Sequence, residues 1–125
     1  MYEININHRD LYINHFLVNR DRINDWQPGH ALTLNLIDLH RAQHRSYVPH
    51  RWLIKDLASL LFSALDVGLT SADCVRYLHI YLGPDWKASI GNNTKLWQAT
   101  IRRACRLYID FHGKSPKLPV ILRVL

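Results

Sequence analysis

His8-Arg9-Asp10-Leu11-Tyr12-Ile13-Asn14-His15-Phe16-Leu17 and, further along, Leu32-Thr33-Leu34-Asn35-Leu36-Ile37-Asp38-Leu39-His40 are the stretches that decide the fold. Each couples an acid to a short run of strand-forming residues. In the first, Asp10 precedes the apolar run Phe16-Leu17-Val18; in the second, Asp38 closes the partly alternating run from Leu32 to Ile37. Between the runs lies Asn19 to His30, where Pro28-Gly29 and several Asn and Asp residues mark a turn or loop. The pattern predicts a small antiparallel hairpin with a long connection. Asp10 then lies ahead of its first strand and Asp38 at the end of its second.

Helical periodicity takes over beyond the hairpin. Arg51 to Val67 is apolar almost all round, through Trp52, Leu53, Ile54, Leu57, Leu60, Leu61, Phe62 and Leu65. Such a helix is a buried, central one, and Gly68 is placed to cap it. Asp56, early in this helix, has two readings. An acid turned to the core needs a partner, whereas a solvated acid near a helix N-terminus is favoured by the dipole. Thr70-Ser71-Ala72-Asp73 is a capping box with Asp in place of Glu or Gln. It opens a helix through Val75, Leu78 and Leu82 that stops at Gly83-Pro84. A third helix starts near Thr94, with Trp97, Ile101, Ala104, Cys105 and Tyr108 on one stripe and Arg102, Arg103 and Arg106 facing away. The expected fold is mainly α with a small β-hairpin, one unit over residues 1–125. Loop and hairpin occupy 6–45, helices 50–113, and a short apolar tail 114–125.

Composition narrows the class. The chain has 125 residues, 48% hydrophobic and 21% charged, in the range of a soluble globular domain. No apolar run reaches the roughly 18 residues of a membrane span, and Met1-Tyr2-Glu3-Ile4-Asn5 lacks the basic-then-apolar pattern of a leader. Cys74 and Cys105 share no metal-type spacing and fit a reducing cytosol. A formal net charge of +6, with eight histidines, permits a polyanionic partner. No DNA- or RNA-reading motif accompanies it, so nucleic acid is not expected.

The order of the acids carries the chemistry. In kinase-type phosphoryl transfer an Asp in a His-Arg-Asp loop accepts the proton of the attacking hydroxyl, and a second Asp after a strand holds Mg²⁺ against the ATP phosphates. His8-Arg9-Asp10 and Ile37-Asp38-Leu39 follow that order, although an Asp ending a strand also serves as a plain turn former. In kinase folds an acid at the place of Asp56 hydrogen-bonds the backbone of the catalytic loop. The span from Asp10 to Asp38 is longer than the usual kinase gap, and the Asn19–His30 loop absorbs the excess.

At this level of detail the chain resembles the lipopolysaccharide core heptose kinases. The likeness rests on His8 to Leu17, on Ile37-Asp38-Leu39-His40-Arg41-Ala42-Gln43, on Val48-Pro49-His50-Arg51-Trp52, and on Lys55-Asp56-Leu57 followed by Leu61 to Leu65; it runs from about Ile6 to Tyr81. The resemblance implies a protein-kinase-like C-terminal lobe that phosphorylates a heptose of the lipopolysaccharide inner core in Gram-negative bacteria, with ATP as donor and Mg²⁺ as cofactor. It implies Asp10 as base, Asp38 as metal ligand, and Asp56 with His8 as supports of the catalytic loop. His15 stands where protein kinases place a second metal ligand, an Asn; Asn14 competes for that role. Arg41 and Arg45, in the cation-rich stretch His40 to Arg51, are read as acceptor-docking residues; for Arg41 a structural pair with a core acid is the other reading.

The glycine-rich loop and strand Lys of a kinase N-lobe find no place here, since no glycine occurs before Gly29. The expectation is therefore a C-terminal lobe without its N-lobe, inactive or nearly so alone, from a truncated gene, a fragment or a split enzyme. Expected partners are the inner-core glycolipid and that N-lobe; the expected location is cytoplasmic, with peripheral contact to the inner membrane. The competing reading is a non-catalytic kinase-like module that binds an anionic glycolipid or a partner protein.

Overall fold

The computed structural model describes residues 6–124, so the reading of Met1 to Asn5 lies outside it. Two short antiparallel sheets form the front. β1 (Ile6–Asn7) pairs with β4 (Gln43–His44) in the register Ile6↔His44, Asn7↔Gln43. β2 (Phe16–Leu17) pairs with β3 (Asn35–Leu36) in the register Phe16↔Leu36, Leu17↔Asn35. The second pair is the hairpin expected from the apolar runs. Its connection holds a short helix that the sequence reading did not anticipate, α1 (Arg20–Asn24), capped by the Asn19 side chain on the Asp21 amide.

The helical part runs α2 (His50–Leu65), α3 (Ser71–Leu82), α4 (Trp86–Asn92), α5 (Thr94–His112) and α6 (Val120–Arg123). From Trp52 to Leu65 no residue of α2 is exposed, as an all-round apolar helix requires. Its main packing partner is α5. Leu57, Leu78, Ile90 and Trp97 form the buried cluster, one each from α2 to α5, with Leu53, Leu82, Trp86 and Leu96 packed against it. Ala58 on α2 and Ala104 on α5 have no exposed surface, and residues so small let packed backbones approach closely. Arg102, Arg103 and Arg106 lie on the solvent face of α5.

Helix ends follow local chemistry. Thr70 accepts from the Asp73 amide while the Asp73 carboxylate accepts from the Thr70 amide and hydroxyl, a complete capping box. Gly113 closes α5 at a φ of 73°, a conformation that disfavours side chains with a Cβ. An apolar cavity of about 220 Å³ remains between α2, α3, α5 and the tail, lined among others by Leu61, Cys74, Leu78, Trp97, Ile101 and Leu122. The two thiols are free; burial pushes both above their ordinary value, so neither is a ready nucleophile. No helix of the described residues is long and apolar enough to cross a membrane.

Replacing Thr70 with Ala removes the acceptor of the box and is expected to cost about 0.5–2 kcal/mol. Urea denaturation should show a lower midpoint at unchanged slope. An unchanged midpoint would mean that α3 is held by packing alone.

Candidate active site

The site is built outward from α2. Asp56 is fully buried, and its carboxylate accepts two consecutive backbone amides: His8 N–H on Oδ2 and Arg9 N–H on Oδ1, both at 2.8 Å. Arg9 reaches this geometry with a φ of 76°, a costly conformation for a side-chain-bearing residue. Two charge-assisted hydrogen bonds offset that strain and the desolvation of the acid. Seven residues on and therefore on the same helix face, the Ser63 hydroxyl accepts the Ile13 amide at 2.8 Å and donates to the Leu60 carbonyl at 2.9 Å. One face of α2 thus fixes both ends of the segment 8–13. Ser63 was not singled out in the sequence; the signal was its spacing from Asp56 on an otherwise apolar helix.

Two histidines then tie this segment to the second acid. The fully buried His8 accepts the Asp10 amide at Nδ1, 3.1 Å away. An amide can only donate, so Nε2 carries the proton and donates to the Ile37 carbonyl at 3.0 Å, next to Asp38. His15 donates from Nδ1 to the Asp10 carbonyl at 2.7 Å and sets Nε2 3.3 Å from Asp38 Oδ2. One imidazole therefore bridges the backbone carbonyl of Asp10 and the carboxylate of Asp38, distant in sequence. His15 belongs to a 3-10 turn, Ile13–His15, and its carbonyl accepts the Ile37 amide at 2.9 Å.

Asp38 itself has a φ of 63° and opens a second 3-10 turn, Leu39–Arg41. His40 Nδ1 closes on Asp38 Oδ1, and Arg41 turns back so that Nη1 donates to Asp10 Oδ1 at 2.8 Å. Arg41 thus has an acid partner, and that acid is Asp10. Asn14 is exposed, and His15 rather than Asn14 reaches Asp38. Arg45 donates to Asn7 Oδ1 at 3.1 Å and to Gln43, and its guanidinium stands 5.2 Å from the centre of the Trp52 ring. Among the described residues no three His, Cys, Asp or Glu side chains form a ready metal cage. The donor set around Asp38 still fits Mg²⁺, which is commonly held by one or two carboxylates together with water and phosphate oxygens.

A buried acid under a His-Arg-Asp loop, a second acid after a hairpin strand, and a central apolar helix define the C-terminal lobe of a kinase-like protein. The chain belongs to the lipopolysaccharide kinase (Kdo/WaaP) family, whose model matches residues 1–81. It is 43% identical over 110 residues to the lipopolysaccharide core heptose(I) kinase WaaP of Pseudomonas aeruginosa, covering 86% of this chain and 39% of that protein. It is 45% identical over 83 residues to the Escherichia coli core heptose(I) kinase WaaP, covering 66% of this chain and 30% of that one. A solved structure of WaaP in complex with acyl carrier protein superposes with a TM-score of 0.68 at 41% identity, over 86% of this chain and 43% of that chain. The chain spans roughly two fifths or less of the length of these curated relatives. Both of these curated relatives are named as kinases.

Asp56→Ala leaves two buried amides without an acceptor and is expected to destabilise the chain by about 2–5 kcal/mol. Asp56→Asn, which keeps one acceptor oxygen, should cost less. Chemical denaturation measures both; equal stability of the Ala variant and the parent would show that the amides find other partners.

Proposed function

We propose that the chain is the acceptor- and magnesium-facing lobe of an ATP-dependent sugar kinase that phosphorylates a heptose of the lipopolysaccharide inner core. One observation carries the proposal: His8 and His15 tie the Asp10 loop to Ile37 and Asp38, while the buried Asp56 holds the amides of the same loop. That arrangement serves phosphoryl transfer, in which positioning and charge neutralisation supply nearly all of the acceleration.

In this reading Asp10 is the base. Arg41 holds its Oδ1, which leaves Oδ2 to orient the acceptor hydroxyl and take its proton as the hydroxyl oxygen bonds to the γ-phosphorus of ATP, the bond from that phosphorus to the β,γ-bridging oxygen breaks, and ADP leaves. Asp38 is the residue that would hold Mg²⁺, with His15 setting the height of that carboxylate relative to Asp10. When bound, the metal neutralises charge on the donor phosphates. Asn14 stays a reserve ligand at best, as it points to solvent. Asp56 and His8 act through the loop they hold. Arg45 belongs to the acceptor side.

Because the chain covers less than half of its relatives, the remaining ATP-binding lobe is proposed to come from residues outside this sequence. Without that lobe little turnover is expected, since half of the phosphate clamp is missing. The proposed location is the cytoplasmic face of the inner membrane, where a glycolipid acceptor is presented. Acyl carrier protein, named with the solved relative, is carried over as a proposed partner because the superposition covers 86% of this chain.

The test joins the chain to an N-lobe from a relative, in frame or in trans, and follows phosphate transfer from ATP to a core heptose acceptor. Asp10→Asn is expected to lower kcat by about 10²–10⁴-fold with acceptor binding retained. Asp38→Asn should raise the Mg²⁺ concentration needed for half-maximal rate. Turnover by the Asp10→Asn form at the parent rate would sink the assignment.

A further inference from the structure

Four cations from three chain segments surround one aromatic ring. Arg9 comes from the catalytic loop, Arg45 from the residues after β4, and Arg51 and Lys55 from the first turns of α2. Their charged groups stand 5.7, 5.2, 5.2 and 5.7 Å from the centre of the Trp52 ring. Arg51 and Lys55 are four residues apart and so share a helix face with their charges unopposed along it. Stacking on an indole is worth something to each cation, but one ring does not balance four positive charges. Among the described residues the nearby acids have other contacts: Asp10 with Arg41, and Asp56 with the amides of His8 and Arg9. The ammonium of Lys55 registers the excess. Burial first, and then Arg41 and Arg9, lower its proton affinity, with only Asp10 among the main influences opposing them.

A second observation is independent of charge. Among the described residues four buried side-chain nitrogens have no hydrogen-bond partner, and three of them are Asn7 Nδ2, Arg9 Nε and Trp52 Nε1. All three belong to residues of this cluster or touching it, since the fully buried Asn7 holds Arg45 through its other amide atom. All three are N–H donors. A concentration of unmatched donors beneath a cation cluster is complementary to oxygen acceptors that carry negative charge.

We propose that Arg9, Arg45, Arg51 and Lys55 around Trp52 form an oxyanion subsite that takes an acidic group of the acceptor glycan and seats it beside Asp10. The proposal rests on the kinase reading for the word acceptor, but not for the binding itself. Placement favours the acceptor over the nucleotide. The cluster adjoins Asp10 through Arg9, the residue before it in the chain, whereas Asp38, the residue proposed to face the donor phosphates, is reached by His15 and His40. A sugar carboxylate and a sugar phosphate share the required chemistry: planar or tetrahedral oxygens that guanidinium forks engage in pairs.

The test uses the chain itself. The side-chain indole N–H of Trp52 is followed by ¹⁵N NMR while glucuronate, glucose 6-phosphate or neutral glucose is added at constant ionic strength. A saturable shift is expected with one or both acids and not with glucose; whichever acid binds more tightly names the source of the oxyanion. Lys55→Met and Arg51→Gln, of which Arg51 is exposed, should each raise the midpoint about tenfold. A well-dispersed spectrum establishes that the variants are folded. No saturable shift with either acid, or the same shift with glucose, overturns the subsite. In the chain completed by an N-lobe, Lys55→Met should raise the acceptor KM and leave the ATP KM alone; the reverse split overturns its assignment to the acceptor. Acid binding without any phosphotransfer would remove the kinase reading and leave the oxyanion site standing, while phosphotransfer without acid binding would do the opposite.

Discussion

A carboxylate with no exposed surface, Asp56, sets the geometry on which the rest of the site depends. Burying such a group costs several kcal/mol, and it persists only where hydrogen bonds to the charged form compensate. Two adjacent amides do so, at 2.8 Å each. For two consecutive N–H groups to reach one carboxylate, the chain must turn sharply between them, and Arg9 makes that turn with its positive φ. The strain at Arg9 and the burial of Asp56 are therefore each sustained by the same pair of bonds. Removing either partner would release both, and the loop that presents Asp10 would lose its reference point on α2.

The sheets cannot take over that work. Each consists of two-residue strands, far below what an isolated hairpin needs to be stable in water. The front of the molecule is held instead by side chains reaching across it. His8 links the Asp10 amide to the Ile37 carbonyl, His15 links the Asp10 carbonyl to the Asp38 carboxylate, and Ser63 holds Ile13. A site assembled this way gains precision from α2, which is rigid because it is packed on nearly every side, and it leaves the long connection between β2 and β3 at the surface, where every residue from Asn19 to Ala31 is exposed.

The helical part was legible because its signals are local. Thr70 and Asp73 lie three residues apart, and a capping box involves nothing else. The stripe on α5 and the all-round apolar character of α2 follow from spacing alone, as does the hairpin of β2 with β3. β1 and β4 were not legible: Ile6-Asn7 and Gln43-His44 are too short to alternate, and their pairing depends on the loop already being anchored. α4 was missed because Gly83-Pro84 reads as a stop and the next helical stripe starts only near Thr94, yet burial of Ile90 and packing of Trp86 hold seven residues helical between them. In the site, the order of Asp10, Asp38 and Asp56 could be read from the chain. The partner of Arg41 could not, because it is set by the left-handed turn at Asp38 and the 3-10 turn that follows. The Trp52 cluster joins three distant segments and leaves no trace in spacing.

The pair between Arg41 and Asp10 bears on how such a site stays usable. A carboxylate clamped by a buried guanidinium would be a poor base, because the proton it accepts would displace a strong partner. Arg41 is 42% exposed and Asp10 16%, so the contact is partly screened, and ion pairs of that kind contribute little net free energy. It engages one oxygen only. In the proposed reaction such a contact would orient the carboxylate and leave its other oxygen open to the acceptor. In the proposed enzyme the cations around Trp52 would dock an acidic acceptor beside the base that they border, so that one cluster of charge would serve both binding and positioning.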